Sequence, residues 1–174
     1  METHETKERN ITLYKQNVHY DIDALTYKLT ESTMQGADVK AKSTVASDKD
    51  DAFDASVLAR LTDYRDATLR KRLQFCLKDK EIVSFNNKPV KDEAYVYDMV
   101  VPVGFKDFML ATIGTKMHEY LVKGGLLDWY IQTGVDVNIK PLANQVAELE
   151  SEIVGMLRVP NNLKKPLQPF GPAK

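Results

Sequence analysis

Few side chains in this chain have the types and spacing that chemistry needs. A metal site requires convergent ligands, but the three histidines, His4, His19 and His118, lie far apart. No H-x-x-x-H or C-x-x-C pattern links them, so no metal centre is expected. Cys76 recurs with Leu69, Leu73 and Leu77 on one face of a predicted helix. There a thiol behaves as a small core hydrophobe; a nucleophile would need a neighbouring base such as His118. Gly114-Thr115-Lys116 echoes the end of a phosphate-binding loop, but Met109 stands where the earlier glycine belongs. The triplet also falls inside a helical apolar stripe, where no strand precedes it, and the match reads as chance. Glu148, Glu150 and Glu152 fit a solvated helix face. The expectation is no catalytic residue, no cofactor and no enzyme.

A basic set, Arg65, Arg70, Lys71 and Arg72 with Lys78 and Lys80, is the strongest charged feature. Clustered positive charge is all that non-specific phosphate binding requires, so this set is the candidate DNA-facing surface. Asp63, Asp66 and Asp79 are interleaved with it, which favours a solvated helix over a nucleic-acid groove. Overall charge points the same way: the formal net charge of the 174-residue chain is −1. Such a balance argues against a uniformly basic DNA binder.

These residues must be positioned by a mainly α fold. With 43% apolar and 28% charged residues, the composition is that of a soluble globular domain. The charged start METHETKERN is no signal peptide, no apolar run approaches a membrane span of about 20 residues, and a single cysteine allows no internal disulfide.

The elements are predicted to gather around residues 102–134. Phe105, Met109, Ile113, Met117 and Tyr120 lay an apolar stripe along one helix. Gly124-Gly125 is expected to stop that helix, and a second, aromatic helix over 126–133 carries Trp129. Residues 1–17 are expected to be a flexible segment, apart from a patch at 11–14 able to pair as an edge strand. A single helical domain then spans 18–157. Val18, Ile22, Leu25 and Leu29 mark a helix near 21–34. Residues 35–51 form a polar insert, and 52–77 read as the longest helix, close to about 40 Å. Residues 82–85 and 95–101 are rich in β-branched and aromatic side chains, with turn chemistry at 86–89 between them. They predict a β-hairpin over 82–101. Residues 135–139 alternate as a short extended piece, and Pro141 opens a last helix with a seam of Leu142, Val146, Leu149, Ile153 and Met156. Leu61, Leu73, Phe105, Met109, Ile113, Leu121, Trp129, Leu149 and Ile153 are the expected core.

Residues 158–174, RVPNNLKKPLQPFGPAK, hold four of the seven prolines and four positive charges without an acid. Proline on this scale excludes helix and predicts an extended arm with a reach of about 50 Å. Leu163, Leu167 and Phe170, spaced by Pro166 and Pro169, are the candidate partner-binding residues, because an idle solubility tail has no use for spaced large apolar groups.

The layout of long helix, polar insert, helical body and extended C-terminal arm resembles the head–tail connector (adaptor, or neck) proteins of tailed bacteriophages. That resemblance implies a structural virion protein, assembled in the host cytoplasm and residing in the neck or tail. It also implies a homo-oligomeric ring, dodecameric in that family, in contact with portal and tail or neck proteins, and with non-specific DNA contact but no membrane. The competing reading is a small nucleic-acid-binding or regulatory protein that uses the basic face of the helix over 52–77. The predicted hairpin departs from the mostly helical adaptors.

Overall fold

A computed structural model describes residues 5–33, 52–78, 93–134 and 138–158. The expected polar insert, the segment at 82–85 with its turn, the alternating residues at 135–137 and the arm beyond Arg158 lie outside the described residues. Six elements follow in order: β1 (Thr6–Tyr14), α1 (Lys15–Thr33), α2 (Ala52–Leu73), β2 (Ala94–Pro102), α3 (Phe108–Thr133) and α4 (Lys140–Leu157). The fold is mainly α with one small antiparallel sheet, as the periodicities predict.

α3 is the hub. Its 26 residues run about 39 Å, and α1, α2, α4 and β1 all pack on it. Ile113, Met117, Tyr120, Leu121 and Leu126 are fully buried along its length. Burial begins at Ile113, one residue before Gly114, where an added Cβ would meet Ile11 Cγ2 at 3.6 Å. Phe105 and Met109 therefore lie at the margin of the core, half-buried, as does Leu61, while the other six expected core residues are buried.

The Gly124-Gly125 pair does not end the helix. α3 continues through both glycines to Gly134, among the described residues the one with a left-handed φ, whose N–H bonds the Tyr130 carbonyl at 3.1 Å. The expectation of a two-helix corner fails for a packing reason. A Cβ on Gly124 would stand 2.9 Å from Arg65 Cδ, and one on Gly125 2.9 Å from Thr62 Cγ2 and 3.0 Å from Ile22 Cδ1. The glycines are where α2 and α1 press against α3. They cost helix propensity of about 1 kcal/mol each, and close packing offsets that cost.

The sheet also differs from the expected hairpin. The strand at 94–102 forms and pairs with the N-terminal residues; its expected partner, 82–85, lies outside the described residues. β1 and β2 run antiparallel in a register from Thr6 opposite Pro102 to Tyr14 opposite Ala94. The segment 1–17 is thus ordered from Thr6 onward, and α1 starts at Lys15, six residues earlier than its apolar pattern suggests. Ile11, Leu13, Tyr95, Tyr97, Met99 and Val101 turn inward and are buried, whereas Glu8, Asn10, Thr12, Val96 and Asp98 face out. Half-burial of this kind is the two-residue alternation of a strand covered on one face. α2 stops at Leu73 and not at Leu77, because Leu77 leaves the helix to form a β-bridge with Met99. α4 begins with Pro141 in its first turn, and Val146, Leu149, Ile153 and Leu157 form its buried seam.

If the glycines mark the helix crossing, their substitution must act opposite to helix propensity. Gly125→Ala is expected to lower stability by about 1–3 kcal/mol through overpacking against Thr62 and Ile22. Gly155→Ala, in α4 with open space around it, is expected to raise stability by about 0.5–1 kcal/mol. Denaturant unfolding of both variants checks the pair; a stabilised Gly125→Ala chain contradicts the crossing.

Candidate functional site

The polar side chains converge on α2, which meets its neighbours along three seams. Toward the sheet, Thr62, Asp63, Asp66 and Arg70 follow one another at helical spacing and lie under Tyr95 and Tyr97. Tyrosines at inward strand positions bury their rings but still need a hydroxyl partner. Tyr97 donates a very short hydrogen bond to Asp66, and Tyr95 shares its proton between Asp63 at 2.9 Å and Thr62 at 3.0 Å. Arg70 donates to Asp66 at 2.7 Å and to the Val96 carbonyl at 2.8 Å, with its guanidinium 4.5 Å from the Tyr97 ring centre. Lys15 closes the other end, 2.8 Å from Asp63 and over the Tyr95 ring.

Burial, reinforced by Asp66, pushes the Tyr97 hydroxyl well above its ordinary range. Burial likewise raises Tyr95, with Asp63 adding to it. Both phenols stay protonated and act as donors to carboxylates. Burial works against the charge on Arg70, but Asp66 outweighs it and holds the guanidinium ionised.

His19 sits beside this seam, 3.2 Å from the Thr62 hydroxyl. Burial first, then the positive charge of Lys15, lowers its pKa and favours the neutral ring. A hydroxyl next to a neutral imidazole has the outline of a nucleophile and its base. Thr62, however, is fully buried and bonds back to the Leu58 and Ala59 carbonyls of its own helix. No substrate atom can approach it, so the pair is structural.

The second seam joins α2 to α3. Arg65 lies over Gly124 and grips Asp128 with two parallel bonds of 2.6 and 2.5 Å, and each side chain is only 16% exposed. A bidentate fork of this kind fixes orientation as well as charge. The third seam joins α2 to α4 through Arg72 and Glu150 at 2.6 Å. Of the four candidate DNA-facing residues, Arg65, Arg70 and Arg72 are thus engaged in pairs within the fold. Lys71 points to solvent. The structure scatters them around α2 and does not gather them into one basic face.

His118 and Cys76, considered together from sequence, are placed apart. His118 Nε2 is 2.7 Å from Asp21, a hydrogen-bonded contact between α3 and α1 in a shallow pocket with Leu25, Val122 and Lys123. Cys76 is buried under β2 and bonds the Leu73 carbonyl; burial pushes its thiol up to about 11. Lys116 pairs with Glu152 at 2.6 Å, which gives the Gly-Thr-Lys lysine a helix-joining role. Among the described residues no three His, Cys, Asp or Glu side chains converge on a metal-sized site, and His4 lies outside them.

An open groove of about 510 Å³ lies where α4 ends. Phe75, Leu77, Val101, Pro102, Leu157 and Arg158 line it, and the Arg158 guanidinium rests 5.0 Å from the centre of the Phe75 ring. The candidate arm leaves the body here; Leu163, Pro166, Leu167, Pro169 and Phe170 lie outside the described residues.

Sequence reading missed the α2 seams. Their signal was present in Tyr95 and Tyr97 at inward alternate positions and in Asp63, Asp66 and Arg70 at i, i+3 and i+7. It required the knowledge that the strand lies over that helix face.

Asp128→Ala removes the carboxylate that accepts both bonds of the largely buried Arg65 fork and is expected to cost about 2–4 kcal/mol in denaturant unfolding. Cys76 is expected to resist thiol reagents at neutral pH and to react fully once the chain is denatured, as a timed thiol assay would register. Rapid labelling in the native state would contradict its burial.

Comparison with protein-family models, with curated proteins and with solved structures finds no match to this chain.

Proposed function

We propose that this protein is a structural subunit of a head–tail connector, a ring-forming virion component that acts through subunit contacts instead of catalysis. The observation that carries the reading is the segment after α4. It is cationic and proline-rich, holds Leu163, Leu167 and Phe170 at regular spacing, and departs from an open apolar groove on the surface. Extended chain with fixed prolines loses little entropy on docking, so three apolar anchors suffice for a modest contact. Repetition of that contact around a ring adds up through multivalency.

The body suits such a role. Its polar and charged groups tie helices to one another: Arg65 to Asp128, Arg72 to Glu150, Lys116 to Glu152 and His118 to Asp21. A subunit that bears load between larger structures needs this cross-linking more than it needs a cleft. No described helix is long and apolar enough to cross a membrane. The neck or tail of a virion, assembled in the host cytoplasm beside portal and tail proteins, is the proposed setting. Of the four candidate residues of the DNA-binding alternative, Arg65, Arg70 and Arg72 are already paired within the fold and Lys71 is exposed.

Deleting the residues after Val159 is expected to leave a folded, helical chain that assembles poorly. Circular dichroism checks the fold, and sedimentation of the full and shortened chains checks the association. Equal assembly by both would remove the arm, and with it the connector reading.

A further inference from the structure

The two strands of the sheet have outer edges of opposite kinds. On β2, the Lys78 N–H bonds the Asp98 carbonyl at 2.8 Å, the Val100 N–H bonds the Cys76 carbonyl at 2.7 Å, and Arg70 takes the Val96 carbonyl. The backbone groups of Val96, Asp98 and Val100 therefore point away from β1, and one outward group of each residue meets a partner. In an antiparallel ladder such directions alternate, and the register pairs even residues with even ones. The N–H and C=O groups of Thr6, Glu8, Asn10, Thr12 and Tyr14 must then point away from β2. Those five residues are all exposed. The Lys15–Glu93 and Val103–Glu5 bonds extend the odd-numbered pairing at both ends and confirm the parity. Along the outer edge of β1 two carbonyls have a partner among the described residues: Glu8 takes the Arg9 guanidinium at 2.8 Å, and Tyr14, at the N-cap of α1, accepts the first bond of that helix.

Free edges are usually blunted by charge. Here the blunting charges are neutralised within the fold. Lys7 and Arg9 both bond Asp107, and Glu8 pairs with Lys78. The remaining half of the edge, from Asn10 to Tyr14, carries no charge.

We infer that the outer edge of β1 is the docking site for β1 of a second copy of this chain, antiparallel about Asn10, giving one four-stranded sheet across a two-fold axis. Strand addition of this kind needs a partner whose own donors and acceptors are free, and this strand is one. The proline-rich arm is not, since four of its residues lack an N–H. Centring on Asn10 sets Thr6 against Tyr14 and Glu8 against Thr12, which are the residues whose backbone groups point outward. It also sets Lys7 against Leu13 and Arg9 against Ile11, so no like charges meet. Every pair other than Asn10–Asn10, which lies on the axis, is used twice by symmetry, as an isologous contact requires. The inference stands apart from the connector reading, because it uses no residue of the arm.

Cross-linking and charge placement test it in the full chain. Asn10→Cys puts a thiol on the two-fold axis, and a short bis-thiol linker is expected to convert it to covalent dimer. Ser151→Cys, exposed on α4, serves as the control and is expected to stay monomeric on a denaturing gel. Thr12→Glu, placed in the Asn10→Cys chain, sets two glutamates opposite two copies of Glu8 and is expected to weaken the dimer about tenfold. Thr12→Lys is expected to preserve it, and Glu8→Lys combined with Thr12→Glu to restore it. A structural role for Thr12 would not produce that rescue. Equal cross-linking at positions 10 and 151, or equal behaviour of the two Thr12 variants, overturns the inference. Loss of arm-dependent assembly leaves the position-10 cross-link untouched, so the two readings fail separately.

Discussion

The close approach of α2 and α1 to α3 at Gly124-Gly125 is the constraint on which the rest depends. With no Cβ at either position, Arg65, Thr62 and Ile22 sit at distances that any side chain would obstruct. That approach puts the Arg65 guanidinium within reach of Asp128, one turn further along α3. It also sets the height of α2 beneath the sheet, where Thr62, Asp63 and Asp66 receive the hydroxyls of Tyr95 and Tyr97. A bulkier residue at the crossing would push α2 outward and separate both sets of partners together. Two poor helix formers are therefore kept in the longest helix, since what they lose in local propensity is offset by the contacts they permit.

Polar residues follow the same logic. α2 has little apolar asymmetry for a buried helix, because it holds its neighbours through ion pairs and hydrogen bonds as well as through Leu58, Leu69 and Leu73. Ion pairs in such settings add modest stability but constrain which partner sits where. Arg65 can satisfy its fork only on Asp128, and Arg70 bridges Asp66 to the β2 carbonyl edge. The groups that might have formed a site, a histidine beside a hydroxyl or carboxylates beside tyrosines, are consumed in this way. A body fixed in this way is consistent with the proposed role in subunit contact.

Two surfaces remain for contact, and their physics differs. The groove at the end of α4 is largely apolar and lies where the proline-rich C-terminal sequence begins, which suits the proposed docking of that sequence. The edge of β1 is rigid and reads a partner through backbone geometry, which suits a symmetric contact with strict register. Strand edges of this length are hazards unless something covers them. β2 is covered by Arg70 and by the chain at Cys76–Lys78, within the same subunit.

Much of the fold was legible in local pattern. Spacing alone located the helices, the central role of Ile113, Met117 and Tyr120, the seam of α4 and the strand character of residues 95–101, because burial of one face imposes a period on any element. Pattern could not say which strand pairs with which. Thr6–Tyr14 has only Ile11 and Leu13 to mark it, and its partner lies about ninety residues away, so a nearer β-rich segment looked the better match. Nor could it tell a glycine that ends a helix from one that lets another helix in. Local chain stiffness treats the two alike, and the difference lies in the neighbour's distance. The charges on α2 carried the same ambiguity. Their spacing fitted a solvated or DNA-facing surface equally well, and only the packing of three elements around one helix turned them into internal partners. Sequence determined the elements and their buried faces; tertiary structure decided pairing, crossing and which charges stay free, because those depend on distances between residues remote along the chain.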